Sequence, residues 1–224
     1  MKNWLASAVL GLGLVGSANA YVVNTGGLAL GNSWDCTGCN IDSILTGMED
    51  SAGTALTLNL INTGSGINET FAGFGATSII LEELAGYRFN TTFGWYNASN
   101  PFDAAQIFSG ADDKNSAPVT ITFDSWTEFG FYIDPNGITG NRMFTESGLN
   151  SHGDTQVAIF EVAELANTYI LGWEDLDLNG GTGGDRDYQD MIVRVTVNVP
   201  EPATVAMFAL GLAGLVVSRK RINK

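Results

Sequence analysis

The chain of 224 residues has little positive charge, only two cysteines and a single histidine. Between residues 21 and 200, five basic residues stand against 23 acidic ones, a formal net charge of −18, compared with −14 for the whole chain. Such a surface repels the phosphates of nucleic acids and of anionic lipids, so neither is an expected partner of the folded domain. Divalent cations are better candidates.

The scarcity of histidine argues against a serine hydrolase. A Ser-His-Asp site would have to use His152, and the sequence has no G-x-S-x-G motif. We therefore expect a protein that is not an enzyme. A polysaccharide hydrolase or lyase stays an alternative, because glycosidase carboxylates come together from distant strands.

The only cysteines, Cys36 and Cys39, form a C-x-x-C pair in a polar segment. In an exported protein such a pair most often forms a disulfide, which is our prediction. Redox activity requires the first cysteine at a helix N-terminus after a buried strand, and zinc requires four ligands. A redox pair, free thiols and metal binding remain alternatives.

Long apolar runs are found at the two ends of the chain. Lys2, an apolar stretch over 4–15 and Ala18-Asn19-Ala20 predict a signal peptide of residues 1–20, cleaved after Ala20. About a dozen apolar residues are fewer than the roughly 20 that a membrane-spanning helix needs. This end is therefore expected to direct export and then to be removed.

The C-terminal end has three parts in a fixed order. Pro200, Glu201 and Pro202 precede an apolar run over 203–217, and the basic residues Arg219, Lys220 and Arg221 follow. The basic residues would stay in the cytoplasm, with everything upstream of the run outside. About 15 residues is marginal for a stable span, so we expect a single hydrophobic helix that anchors the precursor in the inner membrane only transiently.

This tripartite end, 200–224, resembles the PEP-CTERM sorting signal. The resemblance implies recognition of Pro-Glu-Pro by the membrane enzyme exosortase, which is thought to remove the tail. It also implies a Gram-negative bacterium that makes exopolysaccharide, with the protein at the cell surface or in the biofilm matrix. Residues 21–199 are then the exported domain.

Short apolar or alternating runs fill that domain, with glycine and small polar residues about every ten positions, which favours an all-β fold. Met191, Val193, Val195 and Val197 share one face of a predicted strand, and Arg194, Thr196 and Asn198 share the other. About eight strands are predicted, at 55–61, 78–84, 88–95, 119–123, 128–133, 156–162, 169–174 and 191–199. We expect a jelly-roll-like β-sandwich, with a short helical turn at 103–108.

The densest chemistry lies between 172 and 190, where six acidic residues fall within 17 positions. Carboxylates this close repel one another unless they are protonated or bridged by a cation, and calcium takes six to eight oxygens. The predicted calcium ligands are Glu174, Asp175, Asp177, Asn179, Asp185, Asp187 and Asp190. A solvated acidic loop without a metal is the alternative.

Asp175-x-Asp177-x-Asn179-Gly180 matches the first half of an EF-hand loop, but the twelfth position is Arg186, where a bidentate Glu is needed. The flanking segments also have strand character. An EF-hand is therefore not expected, and Asp185, Asp187 or Asp190 would have to complete the ligand shell.

Trp173-Glu174-Asp175-Leu176, a glycine-rich gap and Asp185-Arg186-Asp187-Tyr188-Gln189-Asp190 are similar to the C-terminal hallmark of a domain of unknown function in secreted bacterial proteins. The segment 127–134 also resembles an internal strand of that family, so the resemblance covers 81–197. It implies shared roles for Glu174, Asp175, Asp185, Asp187 and Asp190. Gln189 stands where the family usually has Asn.

Together these features predict an exported surface or exopolysaccharide-matrix protein, with a calcium-stabilised β-sandwich that is sorted by exosortase. Exopolysaccharide or another surface protein is the expected partner. A carbohydrate-binding module is the main alternative, because exposed aromatic rings can stack on sugars. Trp95, Tyr96, Trp126 and Trp173 are the candidate aromatics.

Overall fold

The computed structural model describes residues 22–25, 28, 30–31, 39–47, 56–62, 69–82, 90–135, 142–178 and 183–199. Ten strands account for most of them: β1 Val22–Asn24, β2 Thr57–Leu60, β3 Phe71–Glu82, β4 Thr92–Asn97, β5 Asn100–Phe108, β6 Val119–Asp134, β7 Met143–Phe144, β8 Val157–Val162, β9 Thr168–Trp173 and β10 Met191–Val197. A helix, α1, spans Ile41–Gly47, and 3-10 turns lie at Ser147–Leu149 and Ser151–Gly153. The predicted signal peptide and the predicted C-terminal helix lie outside the described residues.

All ten strands belong to one hydrogen-bonded sheet. Nine of them follow the order β1-β2-β8-β9-β10-β3-β6-β4-β5, and β7 pairs with β6. Only β1 and β2 run parallel among these pairs; the others are antiparallel. The predicted all-β class is confirmed.

The sheet folds over on itself to make two facing layers. β4 and β9 are four positions apart in the strand order, which is about 19 Å in a flat sheet. The ring centroids of Phe93 on β4 and Trp173 on β9 are nevertheless only 6.3 Å apart. The layers therefore pack as in a sandwich, although the strands stay continuous through the fold.

The fold-over occurs at a bulge in β3 and β6. Gly73 pairs with Thr127 and Gly75 with Thr122, so that residues 123–126 of β6 lie outside the regular ladder. Such bulges bend a strand and let it pass from one layer to the other. Gly75 has a φ of 130°, a conformation that glycine adopts readily and other residues rarely do.

Two apolar cores stabilise this arrangement. The interlayer core contains the four residues of β10 predicted to share one face, Met191, Val193, Val195 and Val197, together with rings from β4, β5, β6 and β9. The outer core contains Ile192, which points the opposite way, and includes residues of α1, β2, β8 and β9. Because β8 and β9 are covered on both faces, their sequences contain nearly continuous apolar runs, whereas Arg194 and Thr196 of β10 face away from the interlayer core.

Some predicted elements differ from the structure. The segments 119–123 and 128–133 belong to a single long strand, β6, and 103–108 is not a helical turn but part of β5. β5 is an edge strand with mostly exposed residues, so its sequence lacks the regular alternation that identifies a half-buried strand. In the part of the chain that the structure describes, no helix is long and apolar enough to cross a membrane.

The bulge provides a test of the fold. In Gly75→Ala, the new methyl group would collide with the carbonyl oxygen of Ile121 and lie 2.9 Å from the Cα of Thr122. We expect a loss of at least about 2 kcal/mol in the free energy of unfolding, measured by urea denaturation. Gly148→Ala, with no atom within 4 Å of the new methyl group, is the control. Equal stability of the two variants would contradict the assigned corner.

Candidate metal centre

The acidic loop, residues 174–190, connects β9 to β10. These strands are antiparallel neighbours with Met191 opposite Trp173, so the two ends of the loop lie side by side. The Asp190 amide donates to the Trp173 carbonyl at 3.1 Å. The Asp175 amide donates to Oδ2 of Asp190 at 2.7 Å. Strand pairing therefore brings together acidic residues that are 15 positions apart in the sequence.

Three carboxylates of this loop form a compact group, which we call the carboxylate cluster. Glu174, Asp187 and Asp190 each offer one oxygen, and these oxygens all lie within 4.8 Å of one another. The three residues are only 1%, 1% and 6% exposed, respectively. Burial of an isolated carboxylate is strongly unfavourable, so the cluster requires protons or a cation.

Two residues of the cluster have raised pKa values, as expected for buried carboxylates that lie close together. Burial, followed by the charges of Asp185 and Asp187, raises the pKa of Glu174 to about 8. Burial also raises the pKa of Asp190 well above its ordinary value, and the charges of Asp175 and Glu174 add to the shift. Burial and mutual repulsion thus favour the protonated forms of Glu174 and Asp190.

Backbone and amide donors hold the carboxylates in place. The Arg186 amide donates to Oε2 of Glu174 at 2.8 Å. The amide and the side-chain Nε2 of Gln189 donate to the two oxygens of Asp187 at 3.1 and 2.8 Å. Arg186 and Tyr188 adopt φ values of 62° and 54°, so the chain is sharply turned on both sides of Asp187.

The loop is also attached to the rest of the domain. The Ile41 amide, at the start of α1, donates to the Asp187 carbonyl at 2.8 Å. Gln156 donates through Nε2 to the Leu176 carbonyl at 2.7 Å and accepts from the Leu178 amide at 3.3 Å. These contacts fix the positions of the carboxylates before any cation binds.

The absence of a side chain at Gly184 leaves room beside Glu174. A Cβ atom at Gly184 would lie 2.8 Å from Oε1 of Glu174 and 2.9 Å from its Cδ. The donor set consists of carboxylate oxygens, which hard cations such as calcium prefer. The residues present therefore fit a calcium ion. Glu174, Asp187 and Asp190 would hold it.

The other predicted ligands are distributed around this cluster. Asp175 is buried beside Asp190, and the charge of Asp185 acts on Glu174. Asp177 lies in a different group: its Oδ1 is 4.0 Å from Nδ1 of His152, and Asp154 completes that group. Asn179 lies outside the described residues, so its role stays a prediction.

Several residues of the site were not predicted. Gln156 and Asp154 belong to the segment before β8, about 20 positions before the acidic loop in the sequence. They come close to the acidic loop only because β8 pairs with β9 in the folded domain. Asp154 and His152 form their group with Asp177 on the exposed side of the loop, where His152 is 59% exposed.

The site lies at one end of β10, and at the other end, after Val197, the chain leaves the sheet. Residues 198–221 match the PEP-CTERM protein-sorting motif. The predicted sorting signal is thereby confirmed. The motif marks the protein for export and membrane-linked sorting to the cell surface in Gram-negative bacteria, and it implies processing by exosortase.

Residues 90–198 match a domain of unknown function, DUF4114. This match lies within the predicted extent 81–197 except at its last residue, and it contains β4 to β10 and the complete acidic loop. β3 lies before the match although it pairs with both β10 and β6 in the middle of the sheet. No curated protein and no solved structure matches the chain significantly.

The structure also locates the remaining candidate residues. Tyr96 and Trp173 are fully buried, Trp95 packs partly buried against Phe123, and Trp126 is 54% exposed. Of the four candidate sugar-stacking aromatics, only Trp126 is thus well exposed. Cys39 is disulfide-bonded. Its predicted partner Cys36 lies outside the described residues.

The buried carboxylates predict an unusual pH dependence for the metal-free protein. The unfolded chain releases the Glu174 proton near pH 4.5, whereas the folded protein holds it to about pH 8. The free energy of unfolding should therefore fall as the pH rises through this range, by up to roughly 5 kcal/mol from this residue. Urea denaturation in a chelator at several pH values measures the slope.

Glu174→Gln should reduce that slope by the contribution of Glu174, because the amide does not titrate. Asp124→Asn, at an exposed position of β6, is the matched control and should leave the slope unchanged. A stability that increases between pH 5 and pH 8 without a metal would contradict the assignment.

Proposed function

We propose that this protein is a non-enzymatic component of the cell surface or of the exopolysaccharide matrix, with a folded domain that calcium stabilises. Exopolysaccharide or another surface protein is the proposed partner. Two features support this function. The sorting motif directs the chain to the outside of the cell, and the carboxylate cluster provides a buried set of oxygen ligands.

The buried cluster is the observation on which the calcium proposal depends. An exposed acidic loop would be stable as a solvated structure, but three carboxylates with at most 6% exposure are not solvated. A divalent cation would remove both the repulsion between them and the penalty of burial. Calcium is favoured over magnesium because it accepts more oxygen ligands and less regular geometry.

The hallmark sequence acquires a physical meaning under this proposal. Trp173 fills the interlayer core directly before Glu174, and the second half of the hallmark contributes Asp187 and Asp190. The buried Trp173 ring would thus fix the position of Glu174 relative to the sheet. We propose that the W-E-D-L and D-R-D-Y-Q-D segments are the two halves of one cation site.

Calcium should raise the melting temperature of the exported domain. At a calcium concentration of about 100 times the Kd, the stabilisation is about 2.7 kcal/mol, or roughly 5–10 °C for a chain of this size. Differential scanning calorimetry with calcium and with chelator, together with calorimetric titration, measures the effect.

Glu174→Gln should abolish most of the calcium-dependent shift while making the metal-free protein more stable than the wild type at pH 8. The reversal distinguishes a ligand from a residue needed only for folding. Asp124→Asn should behave as the wild type. A melting temperature that does not respond to calcium would refute the calcium proposal.

The sorting signal can be tested separately in cells that contain exosortase. Deletion of residues 200–224 should release the domain into the medium, because no anchor would hold it. Replacement of Pro200, Glu201 and Pro202 by alanines should instead leave an uncleaved precursor in the inner-membrane fraction. Fractionation and immunoblotting distinguish the two. Normal surface retention of either variant would contradict the proposed route.

A further inference from the structure

The domain has two chemically different ends. β10 starts next to the acidic loop and stops at Val197, about 20 Å further on. We call the region where the chain then leaves the sheet the exit end. There the Val197 amide donates to the Asn167 carbonyl, and Asn198 exchanges backbone hydrogen bonds with Phe74 and Gly75.

Exposed apolar side chains are concentrated at the exit end. Phe74 is hydrogen-bonded to Asn198, and the ring of Trp126 lies 5.9 Å from that of Phe74. Val199 directly follows Asn198, and Leu165 lies in the turn that carries Asn167. These four side chains are between 37% and 54% exposed.

Two further exposed apolar residues lie toward the same end. Val22 pairs with Thr57, whose amide donates to Glu164, the neighbour of Leu165. Phe102 lies in β5 near the β4–β5 turn, where the Ala98 amide donates to the Glu128 carbonyl. Seven large apolar side chains are exposed among the described residues. The seventh, Leu149, lies in the 3-10 turn in which the Ser147 amide donates to Glu69.

The sequence places a membrane segment very close to this surface. Three residues, Pro200, Glu201 and Pro202, separate Val199 from the apolar run that begins at Ala203. Even fully extended, this connection spans at most about 14 Å. The polar headgroup layer on one side of a bilayer is itself roughly 7 Å thick. A precursor anchored by its tail would therefore have its exit end at the lipid surface.

The charges near the exit end indicate which lipid surface fits. Glu128 and Glu164 lie there, whereas the basic residues of the described ranges lie elsewhere. Lys114 pairs with Glu82, Arg142 with Asp134, Arg186 is in the acidic loop and Arg194 is in the middle of β10. Contact would thus depend on apolar side chains, and anionic headgroups would weaken it.

From these observations we infer that the exit end is a membrane-contacting surface. While the tail anchors the precursor, Phe74, Trp126, Leu165 and Val199 rest in the interfacial layer of a zwitterionic bilayer. Trp is well suited to this layer, because its ring is apolar and its N–H is polar. The contact orients Pro200, Glu201 and Pro202 at the membrane surface, where exosortase acts. The inference rests on the proposed transient anchoring.

The experiment uses the full-length precursor reconstituted into phosphatidylcholine vesicles with brominated acyl chains, which quench nearby tryptophan. Trp126→Phe keeps an apolar ring but removes the fluorophore, so the difference from the wild type reports Trp126 alone. We expect bromolipids to quench this difference emission at least two-fold. Addition of anionic phosphatidylglycerol should reduce the quenching.

Vesicle flotation measures the anchoring independently of Trp126. A precursor that fails to float would overturn both the anchoring and the inference. A precursor that floats with unquenched Trp126 emission would overturn the inference alone. If Trp126 is instead protected from a soluble quencher and the precursor crosslinks as a dimer, the surface contacts a second copy and the inference is wrong.

A cellular measurement completes the test. Phe74→Ser combined with Trp126→Ser should slow removal of the tail several-fold, because the Pro-Glu-Pro segment loses its fixed position. Lys114→Ser changes an exposed residue that pairs with Glu82, opposite Ile192 near the start of β10, and should process at the wild-type rate. Equal processing rates in pulse-chase experiments would contradict the proposed role of the contact.

Discussion

The pairing of β9 with β10 is the interaction on which the rest of the structure depends. Their hydrogen bonds bring Glu174 beside Asp190 at one end of the domain. From there β10 runs to the opposite end, where the chain leaves the sheet. A register shift of one residue in β10 would turn Arg194 and Thr196 into the interlayer core. Burying these two polar side chains would be unfavourable, so the core fixes the register and with it the geometry of the site.

Burial of the carboxylate cluster lowers the stability of the fold, and the well-packed core tolerates this loss. Amides of Arg186, Asp175 and Gln189 satisfy individual oxygens, but they do not neutralise the charge. Neutrality can come from protons or from a cation. The two have opposite pH dependence, because alkaline pH removes protons and leaves the carboxylates free to bind a metal.

Much of the fold could be predicted from local sequence patterns. The alternation in β10 identified its core face, and the six acidic residues identified the loop. Other features depend on contacts between distant segments. Asn40 caps α1 through hydrogen bonds with Ser43, but a helix of seven residues has too short an apolar pattern to be recognised. The predicted strands 119–123 and 128–133 are one bent strand, β6, and pairing with Gly73 and Gly75 of β3 sets the bend.

In the site, too, some features follow from local sequence and others depend on contacts between distant segments. Sequence proximity grouped Asp177 with Asp175, but in a turned loop successive side chains point to different neighbours, and Asp177 faces His152. Gln156 was not predicted because its role comes from strand β8 lying next to β9. The hallmark resemblance gave five shared positions, Glu174, Asp175, Asp185, Asp187 and Asp190, of which Glu174, Asp187 and Asp190 form one group in the structure. Whether that group binds calcium is a chemical question that proximity alone does not answer.

The separation of the two ends connects the proposed cation site with the proposed membrane contact. The most acidic part of the domain lies about 20 Å from the exit end, measured along β10, which is more than two Debye lengths at physiological ionic strength. Repulsion between the acidic loop and the membrane surface is therefore largely screened. The same separation means that a cation at the loop and lipid at the exit end would act without direct competition. β10 thus links the two sites mechanically while keeping them electrostatically independent.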